Sequence, residues 1–333
     1  MCLSDLTDGQ DCELFLVLRA REERTKRDGT RYLKLTLGDR SGTIAAVMWD
    51  GTDAVPEACR SGSVVRVEGR FERHPRFGPE LTVTALRLAR SGEAELDALT
   101  AGPPLSAEQM EADLRTLIAT VQCQHLRGLL KAVFAPGSET WALYREAPAA
   151  KYFHQAYRHG LLEHSLSVAQ GVSSMSATFP GIDRDVAVTG ALLHDIGKLD
   201  AYTADPLAID MTDLGKLHGE IPLGYYRVRR LIEELPGFPG RTAAAVLHII
   251  LSHHGTLEHG SPVVPCTREA TLVHMIDNLG GRLGSFDRLE KEHAPGSAWS
   301  SFDRAIGSGA YFGSAGTTVG QPITAQDRRA QAA

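Results

Sequence analysis

The apolar residues of this chain repeat with a period of two up to about residue 89, and with a period near 3.6 from about residue 106 onward. A stretch patterned for strands does not repack as amphipathic helices, nor the reverse, so a β domain followed by a helical domain is the expected fold. The length of 333 residues agrees, because it exceeds what one hydrophobic core ordinarily supports. The expected division is 1–90 for the β domain, 91–105 for a linker, 106–312 for the helical domain and 313–333 for a small, polar, disordered tail.

In the first part, Leu14–Leu18 opens a strand and Tyr32–Leu37 alternates, which points Leu33, Leu35 and Leu37 inward and Tyr32 and Lys34 outward. Gly38–Gly42 turns the chain into Thr43–Trp49, a short helix is predicted around Asp53–Cys59, and strands Val64–Phe71 and Glu80–Leu88 follow. Five strands with a helix between the third and fourth is the order of a small all-β OB-fold barrel. Residues 11–90 resemble the OB domains of nucleic-acid-binding proteins. The resemblance implies that aromatic and basic groups on one barrel face hold single-stranded nucleic acid, and Tyr32, Lys34, Trp49, Phe71 and Arg73 are the candidates. Trp49 and Phe71 fit core or rim packing equally well. The basic runs Arg19, Arg21, Arg24, Lys26, Arg27 and Arg66, Arg70, Arg73, Arg76 suit either a phosphate backbone or solvated strand faces.

Past the linker, Ser106 followed by Gln109 reads as a capping box, and Met110, Leu114, Leu117, Ile118 and Val121 line one helical face. Further helical patterns run through Leu126–Phe134, Leu161–Met175, Asp185–Leu193, Gly219–Leu235, Ala243–Leu251 and Arg268–Leu283. The second part is therefore expected to be all-α.

Ten of the thirteen histidines lie between His154 and His274. Within that region His164, the pair His194-Asp195, Glu220 with His218 beside it, the pair His253-His254 and Asp277 offer imidazoles and carboxylates, the donors that first-row divalent metals favour. Adjacent residues on a helix diverge by about 100°, so His194-Asp195 at a helix end can serve two nearby ions, or Asp195 can bridge them. Asp277 is a carboxylate in an apolar helical stripe, where a metal would compensate its charge. Taken singly, a helical His or Asp is more often a packing residue than a ligand. His154 and His159 fit hydrogen bonding between helices better than a substrate channel, and Arg268, Glu269 and Asn278 stand near Asp277 as supporting groups or local caps.

In combination, His164, His194-Asp195 and Asp277, with the run ALLHDIGK, resemble the HD-domain metal-dependent phosphohydrolases. With GLLEHSLSV, ILSHHG, GSPVVP and the TREA and HMIDNL segments, and with the OB-like part ahead, the chain is similar to the YhaM family of bacterial 3′–5′ exoribonucleases. This implies that His164, His194, Asp195, His253, His254 and Asp277 hold metal, that Asp195 and Lys198 are catalytic, and that Lys198 faces the phosphate. It also implies one departure: where the family reads Gly-His-Ile, this chain reads Leu217-His218-Gly219-Glu220-Ile221. Register favours Glu220 as the ligand, with His218 as its substitute, since positions two apart on a helix point to nearly opposite sides.

The implied cofactor is a divalent metal, two ions in the full site, with Mn²⁺ favoured and Co²⁺, Fe²⁺, Ni²⁺ or Mg²⁺ as alternatives. The implied activity is release of 5′-mononucleotides from single-stranded RNA, with DNA as a further substrate. The alternatives are an HD phosphohydrolase of a nucleotide or cyclic dinucleotide, and a nucleic-acid-binding module whose HD site is impaired. No serine elbow, catalytic cysteine motif or phosphate-binding GxxxxGK[ST] loop is present. Five cysteines without a CxxC spacing suit free thiols, no stretch approaches the roughly 20 apolar residues of a membrane span, and the acidic N-terminus is unlike a secretory signal. A cytoplasmic protein without a membrane partner is expected, and HD and OB surfaces are both compatible with a homo-oligomer. The net charge of −6 falls on the helical part, where the metal-type residues lie.

Overall fold

The structure is a computed structural model that describes residues 1–74, 78–100, 102–151, 155–203, 205, 207–293 and 297–313. Arg76, His154 and all but the first residue of the expected tail lie outside these. Two compact units are present, Met1–Ile276 and Asp277–Ala333.

The first unit begins with β1 (Asp11–Thr25), β2 (Arg31–Asp39), β3 (Gly42–Met48), β4 (Val64–His74) and β5 (Gly78–Leu88). They close a barrel in the order β1-β2-β3-β5-β4, with β4 pairing back to β1 and only β3–β5 parallel. Closure leaves no free edge among the core strands. The period of two fills the interior: Leu33, Leu35 and Leu37 are each at most 1% exposed, and they meet Leu14, Leu16 and Val67. The helix predicted at Asp53–Cys59 is instead one 3-10 turn, Thr52–Ala54. Pro56 explains it, because the residue before a proline is driven to extended backbone, and Val55 has φ −81° and ψ 115°.

The helices are α1 (Leu96–Leu99), a single turn before the helical part, then α2 (Ala107–Ala119), α3 (Gln124–Phe134), α4 (Glu139–Glu146), α5 (Gly160–Ser176), α6 (Arg184–Leu193), α7 (Lys198–Ala201), α8 (Asp213–His218), α9 (Glu220–Glu233), α10 (Gly240–Ser252) and α11 (Arg268–Glu292). Half of the expected capping box forms: Ser106 Oγ accepts from Gln109 N at 3.2 Å, whereas Gln109 turns its amide to Asp113 at 2.9 Å. The core is built chiefly by α5, α6 and α10. Residues 186–193 of α6 are all buried, so this helix is apolar all round and runs through the middle of the bundle. Tyr144 of α4 reaches in to donate its hydroxyl to the carbonyl of Leu192 at 2.9 Å.

The second unit holds the end of α11 and an antiparallel hairpin of β6 (Trp299–Asp303) and β7 (Ser308–Tyr311). Arg288 of the helix grips Asp303 of the hairpin at 2.5 Å. This hairpin is an addition to the helical part that the periodicity did not predict.

Candidate metal centre and nucleic-acid face

Two apolar helices end at the centre, and each hands over a histidine. His194 is the C-cap of α6 and His253 the C-cap of α10, both about 1% exposed. The last turn of a helix leaves carbonyls without intrahelical partners. Both rings use one three residues back, with His194 Nδ1 2.7 Å from Ala191 O and His253 Nδ1 2.8 Å from Ile250 O. His254 Nδ1 lies 2.9 Å from His259 O, and His164 Nδ1, on α5, 3.0 Å from Gln155 Oε1. Since a carbonyl accepts only, each Nδ1 carries a proton, and in the neutral ring each Nε2 presents a lone pair.

These Nε2 atoms converge on two carboxylates. Asp195, 3% exposed, sets Oδ2 at 3.2 Å from His164 Nε2 and 3.3 Å from His194 Nε2, while Oδ1 lies 3.4 Å from His253 Nε2. Glu220 Oε1 is 3.4 Å from His254 Nε2. The donors form two neighbouring groups, His164/His194/Asp195 and Glu220/His253/His254, each with its ligand atoms within 4.8 Å of one another. Asp195 faces both.

Glu220 reaches the centre because of two glycines. Gly219 has φ +77°, which breaks the chain between α8 and α9 and leaves Glu220 as the first residue of α9. A Cβ on Gly197 would collide with Glu220 O and Gly224 N, so only glycine lets α9 pack this close behind Asp195. His218, at the end of α8, is exposed. The irregular segment thus separates the two candidates and brings Glu220 to the other donors.

The charges are tuned accordingly. Burial works to raise the Asp195 carboxyl, but Lys198, then His194 and His164, hold it well below the usual carboxylate range. Burial also opposes ionisation of Glu220, which Lys198 and His254 overcome. Burial pushes His253 down, toward the neutral form that binds metal, whereas His254 is raised by Glu220 against its own burial. Lys198 Nζ lies 2.7 Å from Asp195 Oδ2. His253 Nε2 is buried without a hydrogen bond among the described residues, since its 3.4 Å approach to Asp195 lacks the alignment of one. Two anionic carboxylates and four imidazole Nε2 donors, one of them the buried His253 Nε2 without a hydrogen bond among the described residues, fit a divalent first-row metal.

Asp277 lies on α11 as the first residue of the second unit. Arg268 and Glu269 act at the entry to α6, on Gly181 O at 3.1 Å and Asp183 N at 2.8 Å. His159 is held by Arg145 O, and His248 accepts from Cys266 N at 2.8 Å.

On the barrel, Tyr32 and Trp49 stack with centroids 4.9 Å apart at 27°, and Lys26 Nζ sits 5.4 Å from the Trp49 centroid. Trp49 is 43% exposed, and Lys34 is exposed on β2. Phe71 corrects the expectation: at 3% exposure it packs in the barrel core, on the inward side that Val65 and Val67 share, and offers no face to a base. Arg73 lies over the Phe71 ring at 5.4 Å. Most of the basic runs are engaged within the protein, Arg66 by Glu13, Arg70 by Asp11 and Arg21 by the carbonyls of Pro56 and Cys59. Arg19, at a bulge of β1, donates to Leu207 O at 3.0 Å. Lys26, which sequence reasoning grouped only with the basic run, joins the aromatic pair.

Among the described residues no helix is long and apolar enough to cross a membrane. The family model described as HD domain matches residues 161–281, and the one described as OB-fold nucleic acid binding domain matches 17–89. A protein named 3′–5′ exoribonuclease YhaM from Geobacillus sp. (strain WCH70) is 28% identical over 289 residues, 86% of this chain and 87% of the relative. Its namesake from Listeria monocytogenes serotype 4b (strain CLIP80459) is 28% identical over 299 residues, 88% and 92% of the two chains. That of Oceanobacillus iheyensis is 28% identical over 291 residues, 87% and 90%. The matched segments contain both the barrel and the centre at the ends of α6 and α10: the chain is an OB-fold domain followed by an HD domain, homologous over most of its length to the proteins named 3′–5′ exoribonuclease YhaM.

Proposed function

We propose that this protein is a metal-dependent 3′–5′ exoribonuclease that releases 5′-mononucleotides from single-stranded RNA, in the cytoplasm, with the barrel of 1–90 feeding the strand to the helical domain of 106–312. The observation that carries the reading is the convergence of four Nε2 lone pairs on Asp195 and Glu220, in a chain homologous to proteins of that name. His164, His194 and Asp195 would hold one cation, and Glu220, His253 and His254 a second, with Asp277 a further ligand that the resemblance implies. Divalent metal here, with Mn²⁺ favoured by the mixed imidazole and carboxylate donors, supplies Lewis acidity at phosphorus and neutralises charge on the phosphoryl oxygens.

The protein's own groups do the rest. Water adds to phosphorus, the bond to the 3′-oxygen of the preceding nucleotide breaks, and that oxygen leaves as a hydroxyl with a proton from water. Lys198, three residues past Asp195, brings positive charge for a phosphate oxygen. Tyr32 and Trp49 offer an aromatic surface for bases, with Lys26, Lys34 and Arg73 for phosphates.

Product analysis tests this. Purified protein with Mn²⁺ is incubated separately with single-stranded RNA, DNA, mononucleotides and cyclic dinucleotides. Release of 5′-mononucleotides from RNA supports the proposal, turnover of the small nucleotides alone assigns a nucleotide phosphohydrolase, and tight RNA binding without turnover assigns a binding module.

A further inference from the structure

Gln155 and His159 are the described non-glycine residues with positive φ, at 60° and 68°. A residue held in this region persists only where its surroundings over-determine it, and such residues cluster at functional sites. Gln155 is also 5% exposed, an unusual place for a side-chain amide. Its backbone carbonyl accepts from Ala149 N at 3.1 Å and lies where a Cβ on Gly160 would fall, so Gln155 itself is packed tightly against the start of α5. One turn into that helix stands His164, whose Nδ1 is 3.0 Å from Gln155 Oε1.

The orientation of this amide decides which nitrogen of His164 carries the proton. With Oε1 toward the ring, Nδ1–H donates and Nε2 is a lone pair, 3.2 Å from His194 Nε2 and 3.2 Å from Asp195 Oδ2. With the NH₂ group toward the ring, Nδ1 would accept, Nε2 would bear the proton, and His164 would offer the centre no lone pair. Carbonyl and carboxylate groups behind ligating histidines commonly perform this task.

We infer that Gln155 is a positioning residue: its left-handed backbone aims the amide oxygen at His164, fixing the Nδ1–H tautomer and directing Nε2 into the metal centre. The metal part of the inference rests on the function proposed above; the tautomer part does not.

The test uses the full chain, with Gln155→Ala, Gln155→Gly and Gln155→Glu. In metal-free protein labelled with ¹⁵N at histidine, ring nitrogen correlations are expected to show His164 as Nδ1–H in the native chain and in Gln155→Glu, and to lose that preference in Gln155→Ala. Calorimetric titration with Mn²⁺ is expected to show affinity falling roughly 10–100-fold in Gln155→Ala and Gln155→Gly, and kept in Gln155→Glu. Gln155→Gly separates the roles, because glycine accepts the positive φ. Its melting temperature should exceed that of Gln155→Ala while its affinity loss is the same. An Nε2–H tautomer in the native chain, an unchanged tautomer in Gln155→Ala, or an affinity loss that follows melting temperature alone would overturn the inference. A native chain that binds no Mn²⁺ but shows the Nδ1–H tautomer, lost in Gln155→Ala, would sink the metal reading and leave the positioning role standing.

Discussion

The Nε2 atoms of His164 and His194 stand 3.2 Å apart, each on a ring whose Nδ1 is held by an oxygen. Two lone pairs so placed repel unless positive charge lies against them, and a bound cation stabilises the folded chain by mass action. Mn²⁺ at about 100 times its Kd should add about 2.7 kcal/mol, or roughly 5–10 °C in Tm, over EDTA-treated protein. Differential scanning calorimetry of the native chain and His194→Ala reads this directly. The shift should shrink in the variant, which loses a donor from only one of the two groups, and a shift of undiminished size there would place the metal elsewhere.

Glu220 and His218 give a sharper contrast, because among the described residues Glu220 meets another donor, His254, at 3.4 Å, and His218 belongs to neither donor group. Glu220→Gln should weaken Mn²⁺ binding at least tenfold, about 1.4 kcal/mol, with a matching fall in kcat/KM. His218→Ala should leave both unchanged. The reverse outcome in calorimetric titration would move the ligand to His218.

The aromatic pair on the barrel should act on RNA alone. Trp49→Ala is expected to raise KM for RNA by roughly 5–150-fold, the equivalent of about 1–3 kcal/mol for one stacked base. Hydrolysis of a small phosphodiester such as bis(p-nitrophenyl) phosphate should be unaffected. Phe71→Ala should instead destabilise the barrel by about 3–5 kcal/mol, seen as an early unfolding transition in urea. Equal effects of both substitutions on RNA binding, without loss of stability, would return Phe71 to the binding face.

Tyr144 links stability to pH. Its buried hydroxyl, bonded to Leu192 O at 2.9 Å, has its pKa raised chiefly by burial. The folded chain therefore keeps this proton where the unfolded chain loses it, so the contribution is full below about pH 10 and declines above it by up to about 1.4 kcal/mol per pH unit. Tyr144→Phe should cost about 1 kcal/mol near neutrality and show a shallower loss of stability between about pH 10 and 11. Parallel curves for the two proteins in alkaline urea titrations would contradict this.

The sequence carried the strand alternation at Leu33, Leu35 and Leu37, and the handover from an apolar helix to His194-Asp195, because both follow from local periodicity. Phe71 was equally legible, since it continues the inward series of Val65 and Val67, but an aromatic beside Arg73 invited a binding role. The pairing of Tyr32 with Trp49 needs the β2–β3 register that sets Leu33 opposite Met48, which one strand alone does not reveal. Glu139–Glu146 is too short for a periodic signal, and Trp299–Asp303 is exposed along most of its length and so lacks an apolar face. Gln155 is illegible for a different reason: its positive φ and the close approach of its carbonyl to Gly160 are not signalled by its residue type.

The central claim concerns direction and metal together, and one measurement addresses both. The same single-stranded RNA is labelled at its 5′ end in one sample and at its 3′ end in another, then incubated with protein and Mn²⁺, with Asp195→Asn alongside. The 5′ label should descend through a ladder of shortened RNAs while the 3′ label appears at once as a 5′-mononucleotide, with both signals abolished by EDTA and by the substitution. Intact RNA, internal cuts without mononucleotide, or a ladder that Asp195→Asn still produces would contradict the account.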